Sequence, residues 1–171
     1  MPPRVVLVGP PGSGKSTTAR LVAARLGVAV RDTDDDVERA ADTSISDIFV
    51  DRGEETFRRL EHDATARAIA EHDGVLAVGG GAVLDPATRQ LLQGMTVVFL
   101  DVGIKDAASR IGFNRDRPLL IGNPRAQWIR LMEARRSLYD AVATVRVDTA
   151  GRSADEVADE IVLLMQAPTT R

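Results

Sequence analysis

The chain has no cysteine among its 171 residues. Disulfides, thiolate zinc sites and thiol nucleophiles are therefore excluded. Aromatics are scarce, with four phenylalanines, one tyrosine and one tryptophan, too few to stack along a nucleic-acid strand. Excess positive charge is also missing: the net charge is −3 and the pI about 5.4. That argues against a broad nucleic-acid or membrane surface and leaves local basic clusters to answer to small anions. No apolar run approaches the ~20 residues of a membrane span. The N-terminus enters its first apolar run with no charged-then-apolar leader, and a cytoplasmic protein is expected. His62 and His72 lack any metal-ligand pattern and read as ordinary surface residues.

What remains is an ordinary globular composition, 44% hydrophobic and 27% charged, long enough to bury the core of one α/β domain spanning 1–171. The most specific feature stands at the start. Val5 to Val8 is an apolar run of strand type, followed by Gly9-Pro10-Pro11-Gly12-Ser13-Gly14-Lys15-Ser16 and then a helical pattern. This is the G-x-x-x-x-G-K-S phosphate loop in its strand–loop–helix context. Triphosphate oxygens need many close donors and no intervening side chains. The glycines let successive N–H groups point inward as an anion nest, and the following helix adds the positive end of its dipole. Gly12, Ser13, Gly14, Lys15, Ser16 and Thr17 are the candidate nucleotide contacts. The Lys15 ammonium can reach the β- and γ-phosphates, and the Ser16 hydroxyl can coordinate Mg²⁺. A nucleoside-triphosphate site, for ATP with Mg²⁺, is the reading.

Further along, the pattern predicts a helix over Ser16–Leu26 stopped by Gly27, and a short strand over Val28–Val30 that ends in Arg31-Asp32-Thr33-Asp34. A helix follows over Val37–Ala41, another opens at Ile45, and Gly53 breaks it before a long helix over Glu54–Glu71 with Phe57, Leu60, Ala64, Ala68 and Ile69 on one stripe. Val75–Val78 reads as a strand buried on both faces, ending in Gly79-Gly80-Gly81. Asp85-Pro86 starts a helix, Val97–Leu100 is a fourth strand, and Lys105–Ile111 a short helix. Residues 112–124, bracketed by Gly and Pro and rich in arginine, read as a lid over an anion. Arg125–Tyr139 is helical and Ala143–Val147 a fifth strand. Ser153-Ala154-Asp155-Glu156 is a capping box opening a last helix that runs to about Gln166. Five strands alternating with helices predict an α/β fold, a parallel sheet with helices on both faces.

Four stretches beyond the phosphate loop narrow the substrate: Asp32-Thr33-Asp34, Gly53 to Glu61, Gly79 to Val83 and Arg117-Pro118-Leu119-Leu120. In order, spacing and content the chain resembles the shikimate kinase family from Val5 to about Met165. The resemblance implies a nucleoside-monophosphate-kinase-like P-loop fold, a three-layer α/β/α arrangement around a five-stranded parallel sheet, with a substrate-binding region at about 33–61 and a lid at about 112–124. It implies ATP-dependent phosphorylation of the 3-hydroxyl of shikimate, a small carboxylated ring, by a monomer.

The same resemblance assigns roles. Asp32 would support Mg²⁺ beside Ser16, and Asp34 would orient the accepting hydroxyl. The Asp32–Asp34 segment reads as extended, although an acidic run here could also cap a helix. Arg58 would clamp the shikimate carboxylate with two parallel bonds, with Arg59 left to surface pairing. Gly79, Gly80 and Gly81 would bring backbone N–H groups close to the substrate. Arg117, held extended by Pro118, would lie over the transferred phosphate, so Asp34, Lys15 and Arg117 form the catalytic set. Arg110 would either touch the nucleotide or act as a helix C-terminal cation. Arg152 would either stack on adenine or stand solvated in its loop. Glu61 would either anchor a substrate-site arginine or make a surface pair with Arg58. The family's Arg-x-Pro-Leu-Tyr stretch is Arg135-Arg136-Ser137-Leu138-Tyr139 in this chain. Counting back from Leu138-Tyr139 picks Arg135 as the second substrate arginine; counting from the lid picks Arg136. A gluconate-type kinase on the same fold is the nearer rival, and a non-catalytic nucleotide-binding regulator the more distant one.

Overall fold

A computed structural model describes residues 1–111 and 122–167. Five parallel strands form one sheet in the order β2-β3-β1-β4-β5. They are β1 (Val5–Val8), β2 (Val30–Asp32), β3 (Val75–Ala77), β4 (Val97–Asp101) and β5 (Val145–Asp148). Helices α1 (Lys15–Leu26), α2 (Thr33–Ala41), α3 (Ile45–Glu71), α4 (Pro86–Leu92), α5 (Ile104–Ile111), α6 (Pro124–Val142) and α7 (Ala154–Gln166) alternate with them.

Both faces of the sheet are apolar, as the continuous Val/Leu runs require. On one face Val5, Leu7, Val75, Val98 and Leu100 pack against Val22 of α1 and Val157 and Ile161 of α7. On the other, Val6, Val8, Leu76 and Phe99 meet Ala68 of α3 and Trp128, Met132 and Tyr139 of α6. Each fully buried aliphatic side chain contributes about 1.5–3 kcal/mol of transfer free energy. A smaller cluster of Val37, Ile48, Phe57 and Ala64 joins α2 to α3 beside the sheet, and Phe49 lies on Phe57 with ring centroids 4.7 Å apart.

Local chemistry sets the element ends. Ser44, Asp85, Asn123 and Ser153 each accept a backbone N–H in the first turn of α3, α4, α6 and α7. The expected capping box at Ser153 is present, with Glu156 N–H donating to its hydroxyl at 3.2 Å. α3 kinks at Gly53, where φ is 82°, so the expected break joins two helical stretches.

Three expectations are corrected. β2 begins at Val30, not Val28. Gly27 N–H donates to Ala24 O and Val28 N–H to Ala23 O, a pair of bonds that closes α1 and engages the amide a strand would need. Asp32–Asp34 is not extended throughout: Asp32 ends β2 and caps α2 through its side chain, and Asp34 already lies in the first helical turn. The acidic run therefore caps a helix as well as lining the sheet edge. β5 begins at Val145 because α6 runs on to Val142, with Ala143 N–H still bonded to Tyr139 O.

Candidate active site

The loops after β1, β2 and β3 meet at the carboxyl edge of the sheet, where open α/β sheets bind ligands. Gly12 and Gly14 take φ values of 81° and 85°, a conformation that side-chain-bearing residues rarely adopt. A Cβ on Gly12 would also come within 3.0 Å of Ala107 on α5. The curled loop leads into the N-terminus of α1, and Lys15 Nζ donates to Gly9 O at 2.7 Å and Pro10 O at 3.2 Å. The buried Ser13 hydroxyl has no hydrogen-bond partner among the described residues. Ser16 Oγ donates to Asp32 Oδ2 at 2.5 Å, while Asp32 Oδ1 accepts the Asp34 N–H at 2.9 Å. One aspartate therefore links the phosphate loop to the α2 cap.

A cavity of about 570 Å³ opens over this loop, bordered by Gly12 to Thr18, Asp32, Asp34, Arg110, Thr149 and Arg152. Arg110 crosses from α5 and donates to Gly12 O (3.2 Å), Thr149 Oγ1 (3.0 Å) and Thr149 O (2.9 Å). It therefore bridges the phosphate loop and the β5–α7 loop. Arg152 borders the same cavity, with its guanidinium held by Asp148 O, Glu156 O and the Glu160 carboxylate.

A second group of charged side chains is built around the glycine turn after β3. Gly79 N–H donates to Thr33 Oγ1 at 3.0 Å, which ties the turn to the start of α2. A Cβ on Gly79 would collide with Glu61 Oε2 and lie 2.9 Å from Asp34 Oδ1; a Cβ on Gly81 would overlap the Arg58 guanidinium. The glycines are there for close approach of charged side chains. Arg58 Nη1 donates to Glu61 Oε1 at 2.8 Å and Nη2 reaches Glu54 Oε1 at 3.4 Å, and the guanidinium lies 5.2 Å from the Phe57 ring centroid. Glu61 is only 2% exposed. Burial raises its carboxyl above the usual range, against the opposing pull of Arg58, Arg135 and Lys15. A second cavity of about 420 Å³ lies beside Arg58, Glu61 and Gly81.

α6 separates the two adjacent arginines. Arg135 is buried, 6% exposed, close to Gly80 and Tyr139. Arg136 turns away and pairs with Asp101 at 2.8 Å. Arg59 is exposed. Asp34, Arg58, Gly79–Gly81 and Arg135 thus gather on one side of the phosphate loop, with Lys15, Ser16, Asp32, Arg110 and Arg152 around the loop itself. Arg117 and residues 112–121 of the expected lid lie outside the described residues.

Of the two readings of Glu61, the pair with Arg58 is formed, but on the buried face of α3 and not at the surface. Sequence reasoning missed other site residues. Thr33 and Thr149, each flanking a strand end, are fully or nearly buried; their position after β2 and β5 was the available signal. Tyr139 served only as a marker of register, yet its hydroxyl donates to Gly80 O at 2.5 Å. His62 is not merely a surface residue, since Nδ1 lies 2.8 Å from Thr88 Oγ1.

Mg²⁺ fits this donor set. Among the described residues no group of three His, Cys, Asp or Glu side chains is placed to cage a metal. Mg²⁺ instead takes one or two protein oxygens and completes its shell with phosphates and water, as the Ser16–Asp32 pair at the mouth of a phosphate loop would allow.

A five-stranded parallel sheet with a phosphate loop after its central strand, and basic side chains converging from neighbouring helices and the β5–α7 loop, defines a P-loop kinase fold. The shikimate kinase family model matches residues 11–166. A shikimate kinase from Streptomyces avermitilis is 58% identical over 160 residues, covering 94% of each chain. A shikimate kinase from Acinetobacter baumannii, solved in complex with shikimate, superposes with a TM-score of 0.94 at 32% identity, covering 100% of this chain and 97% of that one. A gluconokinase from Sinorhizobium meliloti shares the fold alone, with a TM-score of 0.59 at 21% identity over 96% of this chain and 91% of that one. The chain belongs to the shikimate kinase family.

Proposed function

We propose that the chain transfers the γ-phosphoryl group of ATP to the 3-hydroxyl of shikimate by direct in-line displacement, giving shikimate 3-phosphate and ADP. The observation that best supports this reading is the convergence of Asp34, the Glu61-held Arg58 and the buried Arg135 on a glycine turn beside the phosphate loop. Such a site offers a carboxylate for a hydroxyl and guanidinium groups for a carboxylate.

On the donor side, backbone N–H groups of Gly12 to Thr17 and the Lys15 ammonium hold the phosphates. Arg110 and Arg152 border the nucleotide's far end. Ser16 and Asp32 would hold Mg²⁺, which when bound offsets charge on the phosphates. On the acceptor side, Arg58 and Arg135 bind the shikimate carboxylate and the Gly79–Gly81 turn admits the ring. Asp34 orients the hydroxyl and accepts its proton as the bond to phosphorus forms. Arg117, from the lid at 112–124, offsets charge on the transferred group as Lys15 does from the other side. The phosphate-loop core, the 33–61 region and the lid belong to one domain, acting as a cytoplasmic monomer on small molecules, with no nucleic-acid or membrane partner. No helix among the described residues is long and apolar enough to cross a membrane.

The test is a coupled ADP-release assay with ATP, Mg²⁺ and shikimate, gluconate or AMP in turn. Turnover with shikimate alone is expected. Turnover with gluconate would move the assignment to the nearer rival, and ATP hydrolysis indifferent to all three would end the kinase reading.

A further inference from the structure

The buried residues of α6 are Trp128, Met132, Arg135 and Tyr139. Their spacings keep them on one helix face, and the three with polar tips all point toward the site. Trp128 Nε1 donates to Pro11 O in the phosphate loop at 2.8 Å. Tyr139 donates to Gly80 O in the acceptor turn at 2.5 Å. The Arg135 guanidinium stands beside that turn, 3.8 Å from where a Gly80 Cβ would be. The two loops held in this way also touch each other: a Gly80 Cβ would lie 3.3 Å from Gly9 O and 3.5 Å from Pro11 Cδ.

A hydroxyl is not needed to fill this space. Tyr139 is fully buried and its ring stacks on Phe99 at 5.0 Å, a place a phenylalanine would fill with no polar group to satisfy. Burial also pushes the phenol's pKa up, so the group remains a donor throughout the neutral range. The same holds for Trp128, whose buried indole spends its one N–H on a phosphate-loop carbonyl. A helix is stiff over three turns, so two loops fastened to one stripe keep their separation.

We infer that α6 is the positioning element that sets the gap between the nucleotide and acceptor half-sites, with Tyr139 as the positioning residue for the Gly79–Gly81 turn and Trp128 for the phosphate loop. The inference rests on the function proposed above. In-line transfer depends on the distance between attacking hydroxyl and γ-phosphate, so Tyr139 and Trp128, by fixing this gap, act on the reaction without touching either reactant.

The test is steady-state kinetics of wild type, Tyr139→Phe and Trp128→Phe, varying ATP and shikimate separately, with Tm measured for each. Tyr139→Phe removes the neutral bond to Gly80 O and the hydroxyl's bond with Arg135, so it should raise the shikimate KM by at least about three- to tenfold, the change that the neutral bond alone corresponds to, and leave the ATP KM unchanged. Trp128→Phe should raise the ATP KM and spare that for shikimate. A merely structural role would lower Tm and move both constants together; that result, or unchanged constants in both variants, overturns the inference. Trp128 is the chain's one tryptophan, so its emission reads the phosphate loop directly. Adding ATP should change that emission equally in wild type and Tyr139→Phe, and a lost response in Tyr139→Phe also counts against the split. Wild-type protein that leaves shikimate untouched overturns the function and the inference together. Active wild type with indistinguishable variants overturns the inference alone.

Discussion

Gly81→Ala isolates the placement of Arg58 with the addition of one methyl group. The backbone at Gly81 has φ −96° and ψ 0°, which alanine can adopt, so the substitution acts through space and not through strain. The new Cβ would overlap Arg58 Nη1, with Cζ at 2.5 Å and Nη2 at 2.8 Å. These atoms are the far end of a flexible side chain, so the guanidinium yields before the turn does. For Cζ to reach an ordinary contact distance of about 3.5 Å, the group must retreat by about 1 Å. That movement pulls it from Glu61 Oε1, 2.8 Å away, and from the place where a substrate carboxylate would meet it. Hydrogen bonds to charged groups contribute about 1.5–3 kcal/mol, so the shikimate KM should rise about 10- to 100-fold, with the ATP KM unchanged. Glu61, its side chain 3% exposed, also loses its ion-pair partner. The expected stability loss is about 1–3 kcal/mol, seen as a few degrees in Tm. The decisive assay is a double-mutant cycle with Arg58→Ala. Once the guanidinium is gone the methyl group has nothing to displace, so Gly81→Ala should add little to the shikimate KM of Arg58→Ala. An equal effect in both backgrounds, or no effect in the wild-type background, refutes the reasoning.

The remaining predictions concern the neighbouring charges. Arg135→Ala should raise the shikimate KM strongly, while Arg136→Ala, whose side chain is 43% exposed and pairs with Asp101, should leave it unchanged and cost at most about 1 kcal/mol of stability; the reverse pattern in steady-state assays would reassign the second substrate arginine. Asp34→Asn should leave ATP affinity intact and collapse kcat, and retained turnover would remove Asp34 from its role. Burial raises the Glu61 carboxyl above its ordinary 4.5, so the folded state holds that proton more tightly than the unfolded chain does. The associated stability is complete below 4.5 and is lost as pH rises through the raised folded value. The Tm of wild type minus that of Glu61→Gln should therefore fall as pH rises from 4.5 through that window. A difference that grows with pH would show that the pairing with Arg58, not burial, dominates.

Most of the elements were legible because their signals are local. Caps at Asp85 and Ser153, the break at Gly53 and the apolar runs of β1, β3 and β4 each depend on residues within a few positions. The misplaced ends share one cause, in which a backbone N–H expected to serve a strand was bonded elsewhere. At Val28 the partner was the end of α1, and at Ala143 it was the end of α6. Asp34 was misread as extended because the helix-capping bond from Asp32 competes with strand continuation at the same residues.

By itself the sequence determined the phosphate loop, the parallel α/β class and the pool of acids and arginines from which a site could be built. Those follow from short-range rules of glycine conformation, hydrophobic period and charge type. Only the tertiary structure decided which members of that pool act together. Arg135 and Arg136 are adjacent in sequence but about 100° apart on the helix, so the docking of α6 on the sheet alone buries one and leaves the other at Asp101. Glu61 became a buried partner of Arg58 because the turn after β3 delivers Gly79 and Gly81 against α3, where a Cβ would collide with these two charged side chains. Such choices depend on contacts between elements far apart in the chain, and no local pattern encodes them.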